Sequence, residues 1–172
     1  MRCSCGCYRI RKVNNLKVIT TVVGTGLPGN TGNGSVATNA NIVPHGVAVD
    51  KKGNIYVSDA LYSIVRKVNN LGIISTYAGT NIAGHMGDGG AATSARLYKP
   101  YGMTVDSKGN LYVADAGSNV IRKIDSLGKI WTVAGTDTAS GYTGDGGAAT
   151  SAKLDSPYSV AVDKIGNLYI AD

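Results

Sequence analysis

The stretch PHGVAVDKKGNIYVSD, residues 44–59, holds two short β-rich runs around a lysine–glycine turn. It returns as PYGMTVDSKGNLYVAD at 100–115 and as PYSVAVDKIGNLYIAD at 157–172. Pro44, Pro100 and Pro157, which open the three copies, stand 56 and 57 residues apart. A second motif keeps the same rhythm: IRKVNNLKVITTVVGT from Ile10, VRKVNNLGIISTYAGT from Val65 and IRKIDSLGKIWTVAGT from Ile121. A third, HMGDGGAATSARL at 85–97, recurs as YTGDGGAATSAKL at 142–154 and, eroded, as TGNGSVATNANI from Thr31. Self-similarity at a fixed period marks a tandem-repeat architecture.

Each unit reads as β throughout. GVAVD and NIYVSD form a pair around KKG, where glycine supplies the positive φ of a hairpin turn. SIVRKVNN and IISTYAGT form a second pair joined through NNLG, and no stretch carries a helical period. Apolar residues sit at neighbouring positions, as in IYV and IWTV, so both faces of the strands are expected to be buried. Four-stranded antiparallel sheets buried on both faces and repeated in tandem make an all-β propeller, one sheet per blade. The expected domain is a single propeller segment over 1–172, with complete units near 44–99 and 100–156. Residues 8–43 and 157–172 are then two complementary partial units.

The pattern P-x-G-V-A-V-D-x-x-G-N-[IL]-Y-V-[AS]-D followed by [IV]-R-K-[VI] resembles the NHL repeat, over nearly all of the chain after residue 8. Its GDGGAATSA-L connector is similar to the variant found in bacterial, often extracytoplasmic, multi-repeat proteins. The resemblance implies six-bladed rings. Three units fall below the four to eight blades that close one. The chain is therefore expected to be part of a longer array, or a half-ring that a second copy completes, its open blade edges inviting self-association.

Bulk properties bound the function. At 172 residues with 43% apolar content the chain can bury a core, and no apolar run is long enough to span a membrane. A net charge of +6 is spread along the sequence rather than gathered in an arm. The basic start, MRCSCGCYRIRK, is followed by no apolar core of a secretory signal. Localisation stays open, the family resemblance alone pointing outside the cytoplasm. Cys3, Cys5 and Cys7 lack the C-x₂₋₄-C spacing of zinc sites and read as a drifted terminus.

Candidate site residues separate into repeated and variable ones. Asp50, Asp106 and Asp163 close the first strand and are expected to bond turn amides. Asp59, Asp115 and Asp172 end the second strand and are expected to cap the next turn. Asp88 and Asp145 lie in the glycine-rich connector, which has neither the lysine of a phosphate loop nor the carboxylates of an EF-hand. One carboxylate per copy, with Asn33 in the eroded copy, leaves at most weak Ca²⁺ binding, so no cofactor and no metal site is expected; the Asp should bond its own loop. Arg11–Lys12, Arg66–Lys67 and Arg122–Lys123 recur in each third strand without interleaved aromatics, which suits a solvated blade edge better than an RNA surface. The position after the repeat proline varies: His45, Tyr101 and Tyr158. In a propeller these would gather at one channel mouth and suit a small or peptide ligand.

The function expected is a non-catalytic scaffold that binds a protein, peptide or glycan. Family resemblance keeps two alternatives open: a metal-dependent lyase or lactone hydrolase, and an RNA-binding propeller. Two histidines and no glutamate are poor material for the first, and nucleic acid is not the favoured partner.

Overall fold

The computed structural model describes residues 7–137 and 140–172. Among them the chain runs as twelve strands broken by four short 3₁₀ turns. Strands β1 (Tyr8–Val13) and β2 (Ile19–Gly26) pair as a two-stranded sheet. Strands β3 (Gly46–Val49), β4 (Ile55–Asp59), β5 (Ile64–Val68) and β6 (Ile74–Ala78) form a four-stranded antiparallel sheet in chain order. Strands β7 (Pro100–Val105), β8 (Leu111–Asp115), β9 (Val120–Ile124) and β10 (Ile130–Ala134) repeat that sheet. Strands β11 (Ser159–Val162) and β12 (Leu168–Ala171) form a final antiparallel pair. These are the blades of a β-propeller that is not closed.

The hairpin inside each blade is set by its own turn. Gly53 and Gly109 take φ of +82° and +86°, a region closed to most side chains. Asp50 Oδ1 accepts the amides of Lys52 and Asn54, and Asp106 Oδ1 those of Lys108 and Asn110. Asp163 does the same for Ile165 and Asn167.

Blades stack face to face, and the core lies between them. Tyr56, Val65 and Ala78 of one sheet pack with Leu97, Met103, Leu111, Val113, Ile124 and Ile130 around the next. A second cluster joins Val23 and Ile42 to Val57, Val68 and Ile74, and a third joins Tyr112, Ala114 and Ile121 to Val160. Burial on both sides explains why β8 reads as a continuous apolar run rather than an alternating one.

The inner strands touch through glycine. A Cβ at Gly46 would stand 2.4 Å from the Tyr101 carbonyl, and one at Gly102 would stand 2.7 Å from Ser159 Cα. No helix among the described residues is long and apolar enough to cross a membrane.

Two expectations about the surface are overturned. Arg66 and Arg122 are not on a solvated edge; they are 1% and 0% exposed, while Arg11 of the first half-blade is exposed. Asp88 does not bond its own loop. Its Oδ1 accepts from Arg122 Nη2 at 2.6 Å and its Oδ2 from the Thr132 amide at 2.9 Å, both in the following blade. The eroded copy does the same with an amide: Arg66 Nη2 donates to Asn33 Oδ1, and Asn33 Nδ2 to Thr76 Oγ1. The physical reason is reach. A third-strand arginine buried between sheets needs acceptors, and the preceding connector is the nearest source of them.

Candidate functional site

The start of each inner strand is fixed by backbone pairing with the second strand and by contact with its neighbour. His45 N donates to the Ser58 carbonyl, and Tyr158 N to that of Ala171. Ser58 Oγ donates to the Tyr101 carbonyl at 2.6 Å, and Gly102 N to that of Tyr158 at 2.9 Å. These bonds bring one residue from each unit to the same mouth.

The three side chains there form a ladder of rings. His45 and Tyr101 meet edge to face with centroids 5.5 Å apart, and Tyr101 and Tyr158 stack at 4.8 Å and 25°. His45 Nδ1 lies 2.9 Å from the Val43 carbonyl and 3.2 Å from the Ala60 amide, which fixes its ring. Tyr158 ends the ladder with 64% of its surface open to solvent. An aromatic stack with an exposed face and phenol hydroxyls can take the flat face of a sugar, an aromatic ring or a proline, and bond its polar rim.

The opposite mouth carries the hairpin turns. A cavity of about 470 Å³ there is lined by Val49, Val105 and Val162 together with Lys51, Ser107 and Lys164. Burial raises the carboxyls of Asp50 and Asp106, but hydrogen bonds from Asn54 and Asn110 outweigh it and hold both below the ordinary value. These carboxylates are engaged by their own turns.

The second-strand aspartates reach across to the incoming connector. Val43 N donates to Asp59 Oδ2, Tyr98 N to Asp115 Oδ1, and Asp155 N to Asp172 Oδ1. Asp59 also caps the following turn through Tyr62 N. Burial pushes Asp115 up to about 7, against the opposing Tyr98 hydrogen bond and the Arg122 charge. Asp59 is raised for the same reason.

The remaining candidates do not converge with the ladder. Asp88 lies in the arginine lock, and Asp145 is exposed with no hydrogen-bond partner among the described residues. His85 sits on its connector between Asp137 and Thr132, away from His45. Cys3 and Cys5 lie outside the described residues, and Cys7 is exposed. Among the described residues no three His, Cys, Asp or Glu side chains gather as a metal site. Lys67 stands over the rings of Tyr56 and Tyr77 and Lys123 over Tyr112, so the paired bases of the two four-stranded sheets are absorbed into blade packing, while Arg11 and Lys12 are exposed. The reach of Arg122 to Asp88 leaves only a weak mark in the sequence: 34 residues separate this pair, and 33 separate Arg66 from Asn33.

Comparison with known proteins agrees with this architecture. The model of the Teneurin NHL domain matches residues 10–85 and 82–142. Teneurin-1 of Gallus gallus is 38% identical over 93 residues, 51% of this chain and 3% of that protein. NHL repeat-containing protein 2 of Bos taurus is 31% identical over 180 residues, 96% of this chain and 24% of that protein. The chain thus spans a quarter or less of the length of these relatives. Among solved structures, a structural-genomics protein of Bacteroides thetaiotaomicron superposes with a TM-score of 0.71 and 27% identity, over 96% of this chain and 40% of that one. An auxiliary nutrient binding protein of the same organism superposes with a TM-score of 0.67 at 14% identity, over 96% of this chain and 40% of that one. With its repeats, its blades and these matches in agreement, the chain belongs to the family of NHL-repeat proteins.

Proposed function

We propose that this chain is a non-catalytic binding scaffold that presents a rigid face to a protein, peptide or glycan, with the His45–Tyr101–Tyr158 ladder as its contact surface. The observation that carries the reading is convergence. One position that varies between units, His45, Tyr101 and Tyr158, is also one whose rings meet at a channel mouth, with centroids 5.5 Å and 4.8 Å apart. Positions that repeat without change, such as Asp50 and Asp106, are engaged in turns. Function here rests on the site and not on the fold, which hosts many activities.

The test is a screen of the 172-residue chain against immobilised glycans and a displayed peptide library. Hits should lose at least about tenfold in affinity in Tyr101→Ala and Tyr158→Ala, in line with loss of an aromatic anchor. Circular dichroism should show both variants folded. Hits that bind both variants as tightly as the parent would move the site elsewhere.

A further inference from the structure

The hairpin turns on the mouth opposite the ring ladder share one design. An Asp or Asn accepts the amides two and four residues on, as Asp50 does in an inner hairpin and as Asn69 and Asp125 do in outer ones. Glycine takes the fourth position in both hairpins of each complete blade. A Cβ at Gly53, Gly72, Gly109 or Gly128 would meet nothing within 4 Å. The turns therefore stand clear of the blades, and the side chain at the third position, the tip, takes no part in closing them.

The tip residue nevertheless sorts by ring. In the inner turns it is Lys52, Lys108 and Ile165, and in the outer turns Leu16, Leu71 and Leu127. Leu71 is 80% exposed although its blade is packed on both sides, so its protrusion belongs to the turn and not to what adjoins the chain. Leu127, at the same position, is 84% exposed. Neither leucine belongs to a core cluster.

Charge gathers on the same face. Nine of the eleven lysines lie in these turns or in the strand ends that run into them, Lys99 and Lys153 being the exceptions. Four aspartates share the face, Asp50, Asp106, Asp125 and Asp163, so it carries a formal +5 of the chain's +6. A charge spread along the sequence is thus collected by the fold. A cleft lined by Lys51, Lys52, Lys67 and Lys108 joins the inner turns of the two complete blades and reaches Ser126 in an outer one.

We propose that this face docks on the surface of an anionic bilayer. Its outer leucines enter the boundary between headgroups and acyl chains, and its inner lysines meet the acidic headgroups. Separate apolar tips with cations around them are what an interfacial binder needs. A protein interface would draw its apolar residues into one centre and exclude lysine from it. A nucleic acid would use the lysines alone. In the complete blades the tyrosines whose hydroxyls reach these turns, Tyr56 and Tyr112, are buried and not open for base stacking. The His45–Tyr101–Tyr158 ladder lies at the other mouth, so docking leaves it turned to solution and does not depend on it.

Flotation of the 172-residue chain with vesicles tests this. Binding is expected to phosphatidylcholine vesicles that contain phosphatidylglycerol and not to phosphatidylcholine alone, and it should weaken with salt. Leu71→Ser combined with Leu127→Ser should weaken it at least about tenfold, and Lys52→Glu combined with Lys108→Glu about a hundredfold. All four side chains are turn tips, so circular dichroism should be unchanged. Leu71→Trp should add a blue-shifted emission on binding, beyond the signal of Trp131 in the parent. Absence of binding to the anionic vesicles, or an emission that stays unshifted, would overturn the proposal. So would a leucine double variant that binds as the parent does; retention on heparin lost only in the lysine variant would then mark a polyanion surface instead.

Discussion

Asp88, on a surface connector, reaches forward 34 residues to accept a 2.6 Å hydrogen bond from the fully buried guanidinium of Arg122. The connector therefore belongs mechanically to the blade it precedes. Arg122 Nη1 also donates to the Arg96 carbonyl at 3.4 Å, near the connector's end. In the preceding pair, Arg66 donates to the carbonyls of Thr31 and Asn41. One guanidinium thus ties both ends of a glycine-rich loop that its own backbone bonds, Gly84 N to Leu97 O and Arg96 N to Met86 O, already draw together.

Arg122→Ala should cost about 3 kcal/mol or more in urea unfolding, because it opens a buried space and releases the connector. Arg122→Met should recover part of that through packing, since its stem lies between sheets. Asp88→Asn should cost less than about 1 kcal/mol. Asn33 already performs this role for Arg66, and the Asp88 side chain is 44% exposed, so solvent screens its charge.

Asp115 sets a pH window. Its carboxyl ordinarily titrates near 3.8 and is held up to about 7 in the fold. Between those values the folded chain binds more protons than the unfolded one, so stability should fall as pH rises from about 4 to about 7. Asp115→Asn should flatten this slope in thermal melts at stepped pH. Asp50 and Asp106 work oppositely, since their lowered values give stability that is lost only on further acidification.

Gly46→Ala should destabilise by about 1–3 kcal/mol through overpacking. Its new methyl meets the Tyr101 carbonyl at 2.4 Å, backbone that cannot swing aside, and Ser58 Oγ at 2.9 Å. Thermal unfolding reads the effect. Gly53→Ala acts differently, through a φ of +82° with nothing within 4 Å, so its cost is conformational only.

Repetition made the fold legible. The prolines, the glycine turns at Gly53 and Gly109 and the apolar runs flanking them locate the hairpins without any long-range information. The ladder was legible as one of the positions that vary within the repeated motif, marked out by its place at the start of the inner strand. Burial of Arg66 and Arg122 was not. A charged pair in an apolar strand looks the same in sequence whether it faces water or a neighbouring sheet, and only the stacking of blades decides between them. The forward reach of Asp88 was hidden for a related reason: a glycine-rich loop with one carboxylate reads as self-contained until the next blade is placed against it.

The forward lock is tested most directly by a double-mutant cycle on Asp88 and Arg122, with Asp88→Ala, Arg122→Met and their combination compared in urea unfolding. The account predicts a coupling of about 1 kcal/mol or more, with the second substitution costing little once the first is made. Strict additivity of the two would contradict it, and with it the claim that each connector is held by the blade that follows.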